Sequence, residues 1–247
     1  MHEGSPVPAV TSAPSRPPAL SVIVPAFNEE SLLDPSIRAL RAALDQCGRV
    51  AEIIIVDDGS GDRTGAIADS LSHALSGVAA RHQANQGIGG AFRAGAAVAS
   101  GDYVMLWPAD MPGTPEDLAP YIAKLGTADV IVGCRRHRLG YNPLMLLNSW
   151  IYPRLVSALF DLRVRDVNWI HVYRRTAFER VRLSQRGIPM LAEALVRLRD
   201  AGASFTEVDV VMKPRAGGVA SASRVRVMAR TLFGLFSFWR TWRREKR

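Results

Sequence analysis

An α/β fold, with a mostly parallel central sheet and helices on both faces, is what this sequence predicts, on three observations. Short apolar runs alternate with helical patterns from residue 20 to about 133. Each run is rich in Val, Ile or Ala and ends at a turn signal. Two runs close on acids: 53–60 reads IIIVDDGS, ending on Asp57 and Asp58, and 103–110 reads YVMLWPAD, ending on Asp110. Carboxylates at the carboxyl ends of parallel strands sit where an open α/β sheet binds its ligand.

The elements follow in order. Residues 1–19 are rich in Pro, Ser and Ala and lack the apolar core of a signal peptide, so a disordered tail is expected. Strands are expected at 20–25, 52–57, 78–82, 103–107 and 129–133. Helices are expected between them at 29–46, 62–76, 88–99 and 115–125. The helix near 62 has Asp62 and Thr64 as capping candidates after Gly59-Ser60-Gly61. The second half gives an amphipathic helix at 142–160, a strand at 169–174, a helix at 189–201 and a strand at 204–212. A last helix covers 224–244, with Leu232, Leu235, Phe236 and Trp239 on one face and Arg240, Arg243, Arg244 and Arg247 crowding its end. The organisation expected is a tail (1–19), one domain (20–223) and a basic amphipathic C-terminal helix (224–247).

With 247 residues, 48% of them hydrophobic, the chain buries the core of one large domain, and nothing in the length demands a second. The net charge of +8 and the pI near 10.2 call for an anionic partner: nucleic acid, an anionic membrane surface or a phosphorylated substrate. The spread of the basic residues and the acidic strand ends argue against a nucleic-acid groove. Cys47 and Cys134 give neither a disulfide framework nor metal-ligand spacing; inert thiols in a reducing compartment are expected. No stretch reaches the ~18 apolar residues of a membrane span; 143–160 is broken by Asn148, Pro153 and Arg154.

Three motifs carry chemistry. In PAFNE (25–29), Phe27 at a strand end offers a face for a base, and Glu29 offers an acceptor for a base or ribose. The same residues also read as a helix start, capped by Asn28 with Glu29 and Glu30 at the positive end of the dipole. Asp57 and Asp58 repel each other unless a cation, a ribose or amide donors compensate; a capped turn is the alternative. The stretch 85–90 (NQGIGG) leads into a helix, where glycines admit a ligand and a helix N-terminus attracts phosphate, although the spacing matches neither a P-loop nor a dinucleotide fingerprint. His171, in an apolar strand, is expected to be a core or wall residue, and His73, His82 and His137 form no zinc pattern.

Together these segments resemble glycosyltransferase family 2, with its GT-A nucleotide-diphospho-sugar fold, and look most like the dolichol-phosphate mannosyltransferase branch, whose members act on polyprenyl phosphates. The resemblance runs from Leu20 to Phe238 and rests on VIVPAFNEE, EIIIVDDGSGDRT, NQGIGGAFRAGAAVASGDYV, the segment 107–117, IVGCRR, RDVNWIHVYRR and EVDVVMKPRAGGVASASR. It implies that Pro25, Phe27 and Glu29 hold the nucleoside and that Val56 and Asp58 hold base and ribose. Ala109 and Asp110 fall on the last two places of the Asp-x-Asp metal motif. Arg135 falls on the Arg after the Gly-Ser pair, here Gly133-Cys134. Arg215 matches the basic residue of a late loop over the diphosphate, and Asp166 matches the acid before the aromatic, basic-flanked strand. The implied cofactors are a nucleotide-sugar donor and Mg²⁺ or Mn²⁺. The implied partners are a polyprenyl phosphate acceptor, a membrane surface at its cytoplasmic face and a possible membrane-protein anchor.

The chain departs from the family pattern at Pro108, which replaces the first Asp, and at Pro112, where relatives often carry Gln or His. The late loop lacks its usual Lys, with Ser221 and Ser223 nearby, and 165–175 lacks a Gly-Phe pair. A hard divalent ion wants several oxygens, so Asp110 would need phosphates and water to complete its shell. Charge building on the leaving diphosphate falls to Arg135, Arg136, Lys213 and Arg215. A phosphate acceptor is already an anionic nucleophile and needs no base. A hydroxyl acceptor needs one, with Asp110 and Asp166 the candidates. The competing readings are a GT-A transferase with a soluble or glycan hydroxyl acceptor, and a non-catalytic nucleotide-sugar binder. Membrane contact is expected through 142–160 and the aromatic, Arg-rich tail, each of which also reads as a helix packed on the protein.

Overall fold

The structure is a computed structural model that describes residues 19–111, 113–138, 143–212 and 225–246. The tail up to residue 18, Pro112, Lys213, Arg215, Ser221 and Ser223 lie outside the described residues. The strands are β1 (Leu20–Ala26), β2 (Ala51–Asp57), β3 (Val78–His82), β4 (Tyr103–Leu106), β5 (Val130–Arg138), β6 (His171–Arg174) and β7 (Phe205–Met212). They form one seven-stranded sheet in the order β3-β2-β1-β4-β6-β5-β7. β6 runs against both neighbours, and every other pairing is parallel.

The helices are α1 (Leu33–Gln46), α2 (Thr64–Ala74), α3 (Ile88–Ala96), α4 (Pro115–Ile122), α5 (Pro143–Phe160), α6 (Arg175–Phe178), α7 (Pro189–Asp200) and α8 (Val225–Glu245). Alternate strand residues feed two cores. Val22, Val24, Ile53, Ile55 and Met105 pack with α1, α2 and α4; Ile23, Ile54, Val56, Val104 and Leu106 pack with α3, α5, α7 and α8. Burial on both faces is why the strands read as unbroken apolar runs. On α1, Leu33, Ile37, Leu40 and Leu44 are at most 1% exposed at helical spacing. Truncating any one of them to Ala is worth about 2–5 kcal/mol.

Two expectations need correction. The helix expected from residue 29 begins at Leu33. The backbone N–H groups of Asn28, Glu29 and Glu30 instead donate to Ser60 Oγ, Thr64 Oγ1 and Asp62 Oδ2 across a neighbouring loop. Asn28 therefore does not cap its own helix; its Oδ1 accepts Gly61 N at 2.9 Å, and its φ is 55°. On α8, Leu235 and Phe238 are the fully buried residues among those described, with Phe160 and Phe238 stacked at 5.0 Å, whereas Phe236 stays 43% exposed and Phe233 77%. The buried stripe is rotated because Gly234 meets the start of α7: a Cβ there would lie 2.8 Å from Pro189 Cγ. Trp242 Nε1 donating to Asp200 Oδ2 and an Arg197–Glu245 ion pair extend this docking.

Candidate active site

The strand order places β1 between β2 and β4, so the chain leaves β1 toward one side while β4 joins on the other. The crevice at the carboxyl ends of such strands is the ligand site of open α/β sheets. The sheet brings Pro25, Phe27 and Glu29 (end of β1), Val56, Asp57 and Asp58 (end of β2) and Pro108, Ala109 and Asp110 (beyond β4) to that one edge. Phe27 is 48% exposed, and Val56 is fully buried with its side chain in the core. Ala109 is buried and Asp110 half-buried.

The adjacent acids at the end of β2 are reconciled by separate sets of donors. Asp57 accepts Ser60 N at 3.1 Å through Oδ1 and meets His82 Nδ1 at 3.1 Å through Oδ2. Burial raises its proton affinity, but the bonds from Ser60 and His82 outweigh that and hold its pKa below the usual range. His82 also reaches Asp69 Oδ1 at 2.9 Å, and its pKa is raised by Asp69 and Asp57. Asp58 is held by neutral amides: Gln83 Nε2 (2.6 Å) and Gln86 N (2.9 Å) on Oδ1, and Gly87 N (2.7 Å) on Oδ2.

This corrects the reading of 85–90 as a phosphate cradle. Two N–H groups at the start of α3 go to the protein itself, Gly87 N to Asp58 and Gly89 N to the Arg186 carbonyl at 2.8 Å. The glycines are needed for close approach, but the partner is the loop 184–187. A Cβ on Gly87 would lie 2.8 Å from Arg186 O, and one on Gly89 2.7 Å from Gln185 O; φ at Gly87 is 75°.

Arg135, on β5, forms a bidentate pair with Asp166, Nε–Oδ2 2.7 Å and Nη2–Oδ1 2.8 Å, with the two side chains 5% and 2% exposed. Its guanidinium lies 5.0 Å from the centre of the Trp169 ring. Burial pushes the Asp166 pKa up, but the hydrogen bond and charge of Arg135 prevail and hold it low. Asp166, one of two candidate bases, is therefore a poor proton acceptor. Arg136 is exposed and pairs with Asp209 at 3.3 Å. His171 is the buried wall residue expected: Nε2 lies 3.1 Å from Val167 O, and burial pushes its pKa down to about 4.

Pro108 offers no side-chain donor, and its carbonyl accepts Met111 N at 3.3 Å. Among the described residues no group of three or more His, Cys, Asp or Glu side chains is arranged to hold a metal ion. The sequence reading missed Gln83 and Gln86 as the amide partners of Asp58 and Trp169 as the plate under Arg135. It also missed Glu193, a fully buried carboxylate on α7. The only signal for Glu193 was an acid inside the apolar run LAEALVRL.

The model of the Glycosyl transferase family 2 domain matches residues 21–183. The chain belongs to glycosyltransferase family 2. Among family 2 relatives, dodecaprenyl-phosphate galacturonate synthase of Rhizobium johnstonii is 29% identical over 180 residues, covering 70% of this chain and 53% of that protein. Undecaprenyl-phosphate 4-deoxy-4-formamido-L-arabinose transferase of Pseudomonas paraeruginosa is 27% identical over 215 residues, covering 85% and 62%. The chain thus spans between about half and two thirds of the length of the curated relatives it matches. Of solved structures, glucosyl-3-phosphoglycerate synthase from Mycobacterium tuberculosis, in complex with Mn²⁺, UDP-glucose and phosphoglyceric acid, superposes with a TM-score of 0.70 at 19% identity, over 90% of this chain and 80% of that one. That likeness establishes the GT-A fold for this family 2 chain.

Proposed function

We propose that this protein moves a sugar from a nucleotide-diphospho-sugar to a polyprenyl phosphate, with inversion at C1, on the cytoplasmic face of a membrane. The observation that carries this reading is the match to polyprenyl-phosphate sugar transferases over up to 85% of the chain, more residues than the family domain alone spans. In this reading Pro25, Phe27, Glu29, Val56 and Asp58 receive the nucleoside. Phe27 offers an exposed ring for stacking, and Val56, its side chain buried, contributes backbone. A carboxylate has about four lone-pair sites; the three amides on Asp58 leave capacity on Oδ2 for one donor from base or ribose.

Ala109 and Asp110 face the diphosphate. Of the three motif positions only Asp110 carries a carboxylate, so Mg²⁺ or Mn²⁺ fits as an ion held by Asp110 together with phosphate oxygens and water. Such an ion, when bound, neutralises charge on the leaving diphosphate. The chain's own contribution is Arg135 as a hydrogen-bond fork fixed by Asp166, joined by Arg215 of the late loop. An acceptor phosphate oxygen attacks C1, the C1–O bond to the diphosphate breaks, and the electron pair leaves with the nucleoside diphosphate. No proton has to be removed from a phosphate anion, which suits a site whose candidate base Asp166 is tied to a cation.

Two surfaces support work at a bilayer. On α5, Leu146, Leu147, Trp150 and Ile151 are 42–56% exposed, although Tyr152, Val156 and Phe160 are buried. On α8, exposed Phe233 and Phe236 lie among Arg230, Arg240, Arg243 and Arg244. No helix of the described residues is long and apolar enough to cross a membrane. The test is incubation with undecaprenyl phosphate and radiolabelled UDP- or GDP-sugars, with Mg²⁺ or Mn²⁺. Label should enter the lipid phase with inverted anomeric configuration. Label confined to water-soluble acceptors, or no transfer with any donor, would overturn the reading.

A further inference from the structure

We infer that Glu193 is a positioning residue for the nucleoside end of the donor site, acting through the loop 184–187 and the first turn of α3 on Asp58. The inference rests on the proposal that Asp58 contacts the nucleoside. Glu193 is a fully buried carboxylate. Its Oε2 accepts Ser184 N (2.9 Å) and Gln185 N (2.8 Å); its Oε1 accepts Ser184 Oγ (2.8 Å) and Arg197 Nε (3.0 Å). Three of those four donors belong to the loop and only one is a cation, so the carboxylate mainly fixes the loop's backbone.

The next two carbonyls of the same loop bond to α3. Gln185 O accepts Arg93 Nη1 at 2.9 Å, and Arg186 O accepts Gly89 N at 2.8 Å. No side chain fits between them, because a Cβ on Gly87 or Gly89 would come within 2.8 Å of those carbonyls. Immediately before that turn, Gln86 N and Gly87 N grip Asp58. A continuous path of hydrogen bonds and backbone contacts thus runs from the interior of α7 to the acid at the end of β2. Every link on it is a directional contact rather than loose packing. Displacing the loop therefore displaces the donors that aim Asp58.

Glu193→Gln tests this with little change in volume. A neutral amide oxygen accepts the Ser184 and Gln185 N–H groups more weakly than the carboxylate does, and the NH₂ group faces Arg197 Nε, so the loop is held less firmly. Arg197 keeps Glu245 as an ion-pair partner at 2.9 Å. The measurement is calorimetric titration of the full chain with UDP and with GDP, each with Mn²⁺, alongside thermal unfolding. Leu195→Ala, a buried residue of the same helix, serves as a destabilised control. Glu193→Gln should weaken binding of whichever nucleotide the wild type binds by roughly tenfold, about 1.4 kcal/mol, and Leu195→Ala should leave it within about twofold at a comparable loss of Tm. Unchanged binding in Glu193→Gln, or equal weakening in both variants, would overturn the inference. Asp58→Asn separates the two levels. If it weakens binding and Glu193→Gln does not, only the role of Glu193 falls; if Asp58→Asn has no effect, the nucleoside role of Asp58 falls and takes this inference with it.

Discussion

The two sides of the crevice handle their buried acids in opposite ways. At the end of β2, Asp58 is held by three neutral amides and no cation is among those donors. Across the sheet, Asp166 is held by the guanidinium of Arg135, and the two charges cancel. An amide-held carboxylate remains an acceptor for a ligand's N–H and O–H groups, as a base or ribose requires. A paired acid offers little to a ligand but fixes the geometry of its guanidinium, the fork that the proposed function aims at the leaving diphosphate. The ion pair has more to lose from a single substitution, because a buried pair broken at one end is costly, whereas an amide cradle degrades locally.

The sharpest way to break the contrast is Asp166→Ala. It strips the buried guanidinium of its bidentate partner, and breaking a buried pair in this way costs about 3–5 kcal/mol. Denaturant unfolding should show that loss. A cost within about 1 kcal/mol, as for an exposed pair, would mean that the two sides do not differ.

Acid titration probes the same side next. The neutral ring of His171 resists protonation until about 4, because it is buried, while the unfolded ring protonates near 6.5. Between those values the unfolded state binds more protons, so stability should fall as pH falls through that window. The span corresponds to on the order of 3 kcal/mol, at about 1.4 kcal/mol per unit. Comparing wild type with His171→Leu at pH 7 and pH 4.5 isolates it: the wild type should lose more. Parallel losses would assign acid sensitivity elsewhere.

What was legible in the sequence follows the same divide. The strands, the acids at their ends and the role of His171 as a wall residue were readable because burial on both faces leaves continuous apolar runs. For Asp57 and Asp58, local spacing already named amide donors as one way to relieve their repulsion, and Asp58 found them. Arg135 and Asp166 were each picked out, but their pairing joins β5 to a segment 31 residues on and has no local signature. Glu193 was invisible for a similar reason: its partners at 184–185 precede its helix, and an acid in an amphipathic helix ordinarily faces water. The start of α1 was misplaced because Ser60 and Asp62, in a loop some 30 residues later, and Thr64, the first residue of α2, took the N–H groups that a helix cap would have used.

A smaller effect sharpens the chemistry at the β4 end. Asp110→Asn should weaken diphosphate binding by about tenfold, roughly 1.4 kcal/mol, and by more than Asp57→Asn does. Asp57 is engaged by Ser60 and His82, and Asp110 lies two residues beyond Pro108 at the crevice edge, on the last place of the Asp-x-Asp motif. Titration with UDP or GDP and Mn²⁺ compares them, and equal effects would remove Asp110 from the metal side. Pro108→Asp completes the test. If it makes binding more metal-dependent, the native site relies less on the ion than a paired-acid site would.

The smallest effect expected concerns His82, which joins Asp57 to Asp69. Hydrogen bonds to Asp69 and Asp57 raise its pKa. The charged pair therefore contributes fully below the unfolded value near 6.5 and is lost as pH rises through the raised folded value. The His82 side chain is 46% exposed, so solvent screens the pair and its worth stays below about 1 kcal/mol. Asp57 changes in the opposite sense: its lowered pKa keeps it ionised until well into acid, and it loses its contribution only as pH falls through that value. Nucleotide affinity should therefore stay nearly flat from pH 6 to 8, while NMR titration of the His82 ring reports a raised midpoint. A drop in affinity that follows the His82 midpoint would show that the charge on this pair reaches Asp58, and that the amide cradle is less insulated from its neighbour than its three neutral donors imply.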